Sequence, residues 1–450
     1  MKVHFVGICG IGLSSLARHF LSHKVEVSGS DMHQSVITDA LQKDGAKIHI
    51  GHKVENLDPK TELVVFSDAI PAQNPELKKA KELKIKTKSY FEQLGQVSKN
   101  FATTIIAGTH GKSTTTAMLA QILVENDKDP AVFLGTLSNV LDGKNYRAGE
   151  KIALIEACEY RENFLHLYPQ NILLLNAEPE HLDFFKTDDR YFDAFWKLAP
   201  KGQEGAFVIA NLDDLNIGSI VARLAADAKH QIVTYGTQEG VDFRSNYRQE
   251  KKLLIYNLAD ELISEITLQV PGWHNRQNAL AAFAAATTFG VDKESIKKSL
   301  ENFSGTWRRL ENKGEKDGIT IFDDYAHHPT EIKASLAALK ESFPDKKIFC
   351  VFQPHQFSRT HLFLDELAKS FNDAHEVIVT EIYQSRDKKE DLEKVSATNL
   401  VEAIKREKST ARLIDSFAAT LEYLKKELKK GDILVTMGAG NIYEVAERFK

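Results

Sequence analysis

The chain has 450 residues, 42% hydrophobic and 27% charged, with a net charge of −5. That length exceeds what one hydrophobic core serves and implies several domains, while the mild negative balance excludes the broad basic footprint of a nucleic-acid binder. Only three cysteines occur (Cys9, Cys158 and Cys350), and their wide spacing excludes a disulfide or zinc framework and fits a reducing cytoplasm. No apolar run reaches membrane-spanning length, and the three glycines and early Arg18 of the apolar N-terminal stretch argue against a signal peptide.

Val3-His4-Phe5-Val6 predicts a strand, Gly7-Ile8-Cys9-Gly10-Ile11-Gly12 a turn, and an amphipathic helix then runs to about Ser22. A second strand over residues 24–28 leads to Ser30-Asp31. Strand, glycine turn, helix, strand and terminal acid describe a mononucleotide-binding unit. The GxxGxG spacing differs from the dinucleotide GxGxxG, which favours a phosphate ligand other than NAD; close helix–strand packing alone also accounts for such a turn. Strands at Lys47–Ile50, 62–66 and 86–87 complete a small parallel sheet.

The next region alternates strands and helices. Thr103-Thr104-Ile105-Ile106-Ala107 predicts a buried strand, Gly108-Thr109-His110-Gly111-Lys112-Ser113 a turn, and residues 112–126 a helix carrying Met118/Ile122 and Leu119/Leu123 at helical spacing. Backbone N–H groups and the helix dipole at such a turn favour phosphate. Lys112 then reaches the outer phosphates and the Ser113 hydroxyl ligates magnesium. Ile106 stands where the full motif has glycine, so the second half of the pattern carries the assignment.

A strand at 152–156 runs into Ala157-Cys158-Glu159, and another at 172–176 into Glu178-Pro179-Glu180-His181-Leu182-Asp183. Polar residues at carboxyl ends of parallel strands are where open α/β sheets bind ligands. Glu159 and His181 are candidates to share a magnesium with Ser113, although that ion prefers oxygen; a helix cap and a loop hydrogen bond are their alternative roles. Pro271-Gly272-Trp273-His274-Asn275 precedes an alanine-rich helix opened by residues 276–282, so Asn275 faces a nucleotide or caps that helix. Trp307-Arg308-Arg309 offers paired arginines, suited to phosphate charge or to a solvated basic turn.

Beyond residue 313 a strand at 319–322 ends in Asp323-Asp324-Tyr325-Ala326-His327-His328-Pro329, with Pro329 placed to open a helix. Two acids and two histidines at a strand end point to a functional site rather than a plain loop. Strands at Ile348–Phe352, 377–380 and Ile433–Met437 indicate a further parallel sheet, the last entering Gly438-Ala439-Gly440-Asn441.

Segments 7–12, 108–115, 156–160, 176–183, 271–282, 323–332 and 352–360 together resemble the Mur ligases of peptidoglycan synthesis over the whole chain. The resemblance implies an α/β fold of three domains. A UDP-sugar-binding Rossmann-like domain occupies 1–98, a central P-loop ATPase domain with a mainly parallel sheet 99–312, and a Rossmann-like amino-acid-binding domain 313–450. It implies ATP-dependent amide formation with Mg2+ in the cytoplasm, by a monomer or homodimer with no nucleic-acid or membrane partner. The lactyl carboxylate of UDP-N-acetylmuramate takes the γ-phosphate, and the amine of an amino acid, L-alanine in the branch most resembled, displaces it.

By the same resemblance Lys112 and Arg308 neutralise the transferred phosphoryl group, and Ser113, Glu159 and His181 hold the metal. Gly108, Thr109, His110, Gly111, Thr114, Asn275, Asn278 and Asp324 surround ATP, with Asp324 at the ribose. Gly10, Gly12, Asp31, His52 and Ser67 cradle the UDP-sugar, and His327, Gln356 and Arg359 face the amino acid carboxylate. Branches adding D-glutamate, lysine or diaminopimelate carry a carbamylated lysine downstream of the His181 position. An ungapped count lands on Phe195, with Lys197 the next lysine, which fits the alanine branch.

Two departures stand out. Glu156-Ala157-Cys158-Glu159-Tyr160-Arg161 replaces the family's Glu-Ala-Asp-Glu-Ser-Asp and removes two acids near the metal. Pro354-His355-Gln356-Phe357-Ser358-Arg359 has a neutral amide where an arginine grips a carboxylate bidentately, which leaves the added amino acid open. A tripeptide-recycling ligase of the same family, an NAD-dependent oxidoreductase built on the 7–12 turn, and a non-catalytic nucleotide-binding module are the other readings.

Overall fold

The computed structural model describes residues 1–248, 251–385, 387–407 and 410–450; the side chains of Leu182 and Asp183 lie outside the described set. The chain builds three sheets and divides into two compact units, residues 1–267 with 277–303, and residues 268–276 with 304–450. Among the described residues no helix is long and apolar enough to cross a membrane.

The first sheet comprises β1 (Lys2–Val6), β2 (Glu26–Asp31), β3 (Lys47–Ile50), β4 (Leu63–Phe66) and β5 (Lys86–Ser89), all parallel, in the order β3-β2-β1-β4-β5. β1 lies centrally and is buried from Val3 to Val6, as expected of a strand covered on both faces. Phe5 packs with Leu13, Leu16 and Phe20 of α1 (Ile11–Ser22), while Val6 and Val64 pack on the other face with Ala80 of the Pro75–Glu82 helix. Lys24 adopts a left-handed φ of 58° after α1, which delays the second strand to Glu26 rather than residue 24. β2 correspondingly runs on to Asp31.

The central sheet holds β6 (Ala102–Ala107), β7 (Ala131–Ser138), β8 (Lys144–Arg147), β9 (Ile152–Ala157), β10 (Asn171–Leu174), β11 (Phe207–Asn211), β12 (Gln231–Gly236), β13 (Phe243–Arg244), β14 (Leu253–Tyr256) and β15 (Leu262–Ile266). β6 is flanked in parallel by β10 and β9. The helix after β6, Lys112–Glu125, is buried from Ser113 to Leu123, which explains its weak amphipathic pattern. The sheet is mainly parallel as expected, but the antiparallel β7–β8 pair and β13–β15 meander were not anticipated.

Within this unit α1 is tied to β8 by buried polar contacts. Asn145 Nδ2 donates to Ser14 Oγ at 2.9 Å, Arg18 pairs with Asp44 at 2.9 Å and donates to Asn145 Oδ1, and Lys144 reaches Asp44 at 2.7 Å.

The third sheet, in the second unit, comprises β16 (Glu311–Lys316), β17 (Ile319–Asp324), β18 (Ile348–Phe352), β19 (Glu376–Val379), β20 (Ala411–Leu413) and β21 (Ile433–Met437), ordered β16-β17-β21-β18-β19-β20 and parallel except for β16. β17 extends two residues beyond the expected end because Asp323 and Asp324 still pair with Thr436 and Met437.

Candidate active site

The turn after β6 sits at the carboxyl edge of the central sheet. Gly111 adopts φ 80°, and a Cβ there would strike the Asn278 side chain, so the position is confined to glycine. Asn176 threads the loop: its Oδ1 accepts the His110 N–H at 2.8 Å and its Nδ2 donates to His110 O at 3.1 Å. Thr109 Oγ1 donates to Glu178 O at 2.8 Å and lies 2.6 Å from the Tyr191 hydroxyl. These contacts fix the conformation of the loop at the start of a helix, where phosphate is favoured.

Lys112 folds over this loop. Its Nζ donates to Thr109 O at 2.9 Å, to Gly108 O, and to Glu159 Oε2 at 3.0 Å. Burial opposes the ammonium charge, but Glu159, together with the further acidic groups around it (Cys158, Glu156 and Glu180), outweighs it and holds the lysine above its ordinary pKa. Burial likewise opposes the Glu159 carboxylate, and Lys112 together with His181 keeps it below the usual range. His181, at a left-handed φ of 56°, places Nε2 3.4 Å from Glu159 Oε1 and 3.7 Å from Glu180 Oε2. Glu159 makes no side-chain cap to the 3-10 turn that follows it, so the helix-cap alternative fails.

Ser113 Oγ donates to Glu156 Oε1 at 2.8 Å, and Glu156 Oε2 accepts the Gly135 N–H at 2.7 Å. Glu156 therefore takes the serine hydrogen and leaves its oxygen to act as an acceptor. Ligand atoms of Glu159, Glu180 and His181 lie within 4.8 Å of one another. Two carboxylates and one imidazole suit a hard divalent cation better than the nitrogen–sulfur sets of structural zinc. Sequence spacing singles out neither Glu180 nor Asn176 and Tyr191, the last two because their contacts join residues far apart in the chain. Phe195 is buried, and Lys197 pairs at 2.8 Å with both Glu162 and Asp193.

Gly10, Gly12, Asp31, His52 and Ser67 follow the carboxyl ends of β1 to β4. Gly12 is crowded by the Tyr90 ring, 2.9 Å from where a Cβ would stand. Asp31 Oδ2 accepts the Cys9 N–H at 2.9 Å, Gly51 N donates to Asp31 O at 2.7 Å, and Ser67 N donates to Val6 O at 3.1 Å. The strand ends and the glycine turn thus form one connected rim.

In the second unit the structure corrects the expectation for Arg308. This arginine is buried, pairs through Nε with Asp323 Oδ2 at 2.9 Å, and donates through Nη1 to Gly440 O at 2.8 Å and through Nη2 to Gly438 O. Its fork is spent holding β17 to the turn after β21. Arg309 is half-buried, with its guanidinium 5.2 Å from the Tyr325 ring, and it acts on the Asp324 carboxyl. Burial raises the Asp324 pKa to about 6 against the opposing Ser335 hydrogen bond and the Arg309 charge.

The helix expected to open at residue 276 begins at Trp273, so Asn275 sits in its first turn instead of capping it and donates to Pro271 O at 2.7 Å. His327 Nδ1 lies 3.1 Å from Tyr325 O, and its ring is 5.9 Å from that of His355, which stacks on Tyr383 and reaches Arg359 Nη1 at 3.4 Å. Gln356 differs from its expected role: at φ 69° its Nε2 donates to Ser385 O at 2.7 Å, committing the amide to the neighbouring loop.

Comparison with known proteins matches these regions to three family models. They are "Mur ligase family, catalytic domain" over residues 2–102, "Mur ligase middle domain" over 106–286, and "Mur ligase, glutamate ligase domain" over 308–440. The UDP-N-acetylmuramate–L-alanine ligase of Acetivibrio thermocellus is 40% identical over 457 residues, covering 99% of this chain and 95% of its own. The crystal structure of UDP-N-acetylmuramate-alanine ligase from Thermotoga maritima superposes with a TM-score of 0.85 at 29% identity, covering 100% of this chain and 98% of that one. A murein peptide ligase from Psychrobacter arcticus shares the fold, with a TM-score of 0.74 at 23% identity and coverage of 100% and 98%.

Proposed function

The chain belongs to the Mur ligase family, and we propose that it uses ATP to join L-alanine to the lactyl carboxylate of UDP-N-acetylmuramate, a step in peptidoglycan precursor synthesis. Full-length likeness to ligases of that name carries the reading, and the Lys112–Glu159–His181 cluster supplies chemistry to match it.

A lactyl carboxylate oxygen attacks the γ-phosphorus and ADP leaves, giving an acyl phosphate. The alanine nitrogen then attacks the acyl carbon, inorganic phosphate departs with the former lactyl oxygen, and the nitrogen loses a proton. The preformed loop from Gly108 to Thr114 binds the phosphates, and Lys112 neutralises charge as it shifts toward the leaving oxygen. Ser113, Glu159 and His181 would hold Mg2+, with Glu180 beside them, and the ion would screen the repulsion between carboxylate and triphosphate. Asn278 braces the loop at Gly111, and Arg309 rather than Arg308 is the arginine we assign to nucleotide charge.

The rim around Gly10, Gly12, Asp31, His52 and Ser67 takes the UDP-sugar, and His327, His355 and Arg359 take the amino acid. This reading implies a cytoplasmic enzyme, where both substrates and ATP are to be had. Phosphate release is measured with UDP-N-acetylmuramate and ATP, supplying L-alanine, glycine, L-serine or the tripeptide in turn. The proposal expects L-alanine to give the highest kcat/KM; preference for the tripeptide would replace it with the recycling reaction.

A further inference from the structure

A carboxylate that no step above uses lies beneath the N-terminal rim. Glu76 opens the Pro75–Glu82 helix behind its Asn74 cap and is fully buried. Its Oε2 accepts from Ser30 Oγ at 2.5 Å and from His4 Nε2 at 3.3 Å; its Oε1 accepts from Asn56 Nδ2 at 2.6 Å and from Lys53 N at 3.1 Å. Burial works against the charge, but these donors outweigh it and lower the pKa to about 2, so Glu76 is an acceptor only.

This fixes the direction of the bonds around it. Ser30 has one hydroxyl hydrogen, and Glu76 takes it. His52 Nδ1, 2.9 Å from Ser30 Oγ, must therefore donate its own hydrogen to that oxygen. With Nδ1 committed, Nε2 is the ring nitrogen left to meet a ligand. Ser30 belongs to the rim as well, since its carbonyl accepts from Gly7 N at 2.8 Å and Ile8 N at 3.1 Å, inside the glycine turn.

Resting on the reading of this rim as the sugar-nucleotide site, we infer that Glu76 and Ser30 are positioning residues that set the His52 tautomer and aim its Nε2 at the bound UDP-sugar. One buried anion thereby ties together three rim segments, the glycine turn, the end of β2 and the loop after β3. The relay resembles the way an outer carboxylate orients a ligating histidine at a metal site.

Calorimetric titration with UDP-N-acetylmuramate, and separately with ATP, tests this on wild type, Ser30→Ala, His52→Ala and the double variant. Each single variant is expected to bind the sugar nucleotide about tenfold more weakly, the loss of one oriented hydrogen bond. The double variant should be no worse than His52→Ala, ATP binding should be retained, and the loss should appear in KM rather than kcat. Wild-type affinity in Ser30→Ala, or additive losses, would overturn the inference. Failure of the wild type to bind the sugar nucleotide would instead remove the functional reading. Should Ser30→Ala lose its thermal transition, Glu76→Asp, which keeps the charge but withdraws it, takes its place under the same criteria.

Discussion

Lys112 Nζ lies 3.0 Å from Glu159 Oε2, so the side chain suited to phosphate and the one suited to a divalent cation are each other's counter-ion. Both are largely removed from water, and each stabilises the charged form of the other against burial. Nucleotide and metal together would bring their own pair of opposite charges into the same place. The two side chains can then exchange partners with no net charge transferred into the protein, which keeps the desolvation cost of the bound state low.

Removing one member of this pair should be felt twice. In Lys112→Ala the Glu159 carboxylate is left buried without its counter-ion, a loss of about 3–5 kcal/mol of stability. Turnover should fall by at least about a hundredfold because transferred charge loses its partner. Urea unfolding and phosphate release measure the two effects, and near-normal turnover would remove Lys112 from the chemistry.

The adjacent arginines should separate cleanly. Arg308→Ala strands the buried Asp323 carboxylate and two turn carbonyls, so it should destabilise the second unit by about 3 kcal/mol or more. Arg308→Lys cannot reproduce the fork and should recover little of that loss. Arg309→Ala should leave the unfolding transition nearly unchanged while lowering kcat by about 10²-fold or more. Denaturant curves and kinetics on the same preparations distinguish them.

Asp324 carries a pH signature. Its folded-state pKa of about 6 lies above the ordinary carboxylate value, so between those limits the native state holds a proton that the unfolded chain has released. Its contribution to stability is therefore greatest below about pH 4 and declines as pH rises to about 6, by at most about 2–3 kcal/mol. Subtracting the urea stability of Asp324→Asn from that of wild type across this range should give a falling difference. A flat difference would mean the carboxyl is ionised throughout.

Gln356 combines a left-handed backbone with a side-chain tether to Ser385 O. Gln356→Ala loses the tether and keeps the strain, costing about 1 kcal/mol, whereas Gln356→Gly loses the tether but relieves the backbone. Thermal unfolding should therefore place the glycine variant between alanine and wild type.

How much of this was legible in the sequence depended on whether a residue acts through its neighbours in the chain or across the fold. The turn from Gly108 to Ser113 and the strand before it were readable because strand, glycine and helix signals are contiguous. Glu159 and His181 were readable as strand-end polar residues, but Glu180 beside them was not, since an acid before a histidine has no distinctive spacing. Arg308 and Arg309 are chemically identical in sequence, and only the burial produced by β17 and β21 tells the structural one from the half-exposed one. The β13–β15 meander was missed because its strands are short and their pairing is fixed by the edge of a large sheet. The neutral amide at Gln356 is visible in the sequence, but its left-handed backbone is not, since no local signal sets that angle.

The central claim is that the lactyl carboxylate becomes an acyl phosphate before the amine arrives. UDP-N-acetylmuramate labelled with oxygen-18 in that carboxylate, turned over with ATP and L-alanine, tests it by mass spectrometry of the released phosphate. The account predicts one labelled oxygen in each phosphate formed; inorganic phosphate free of label would contradict it.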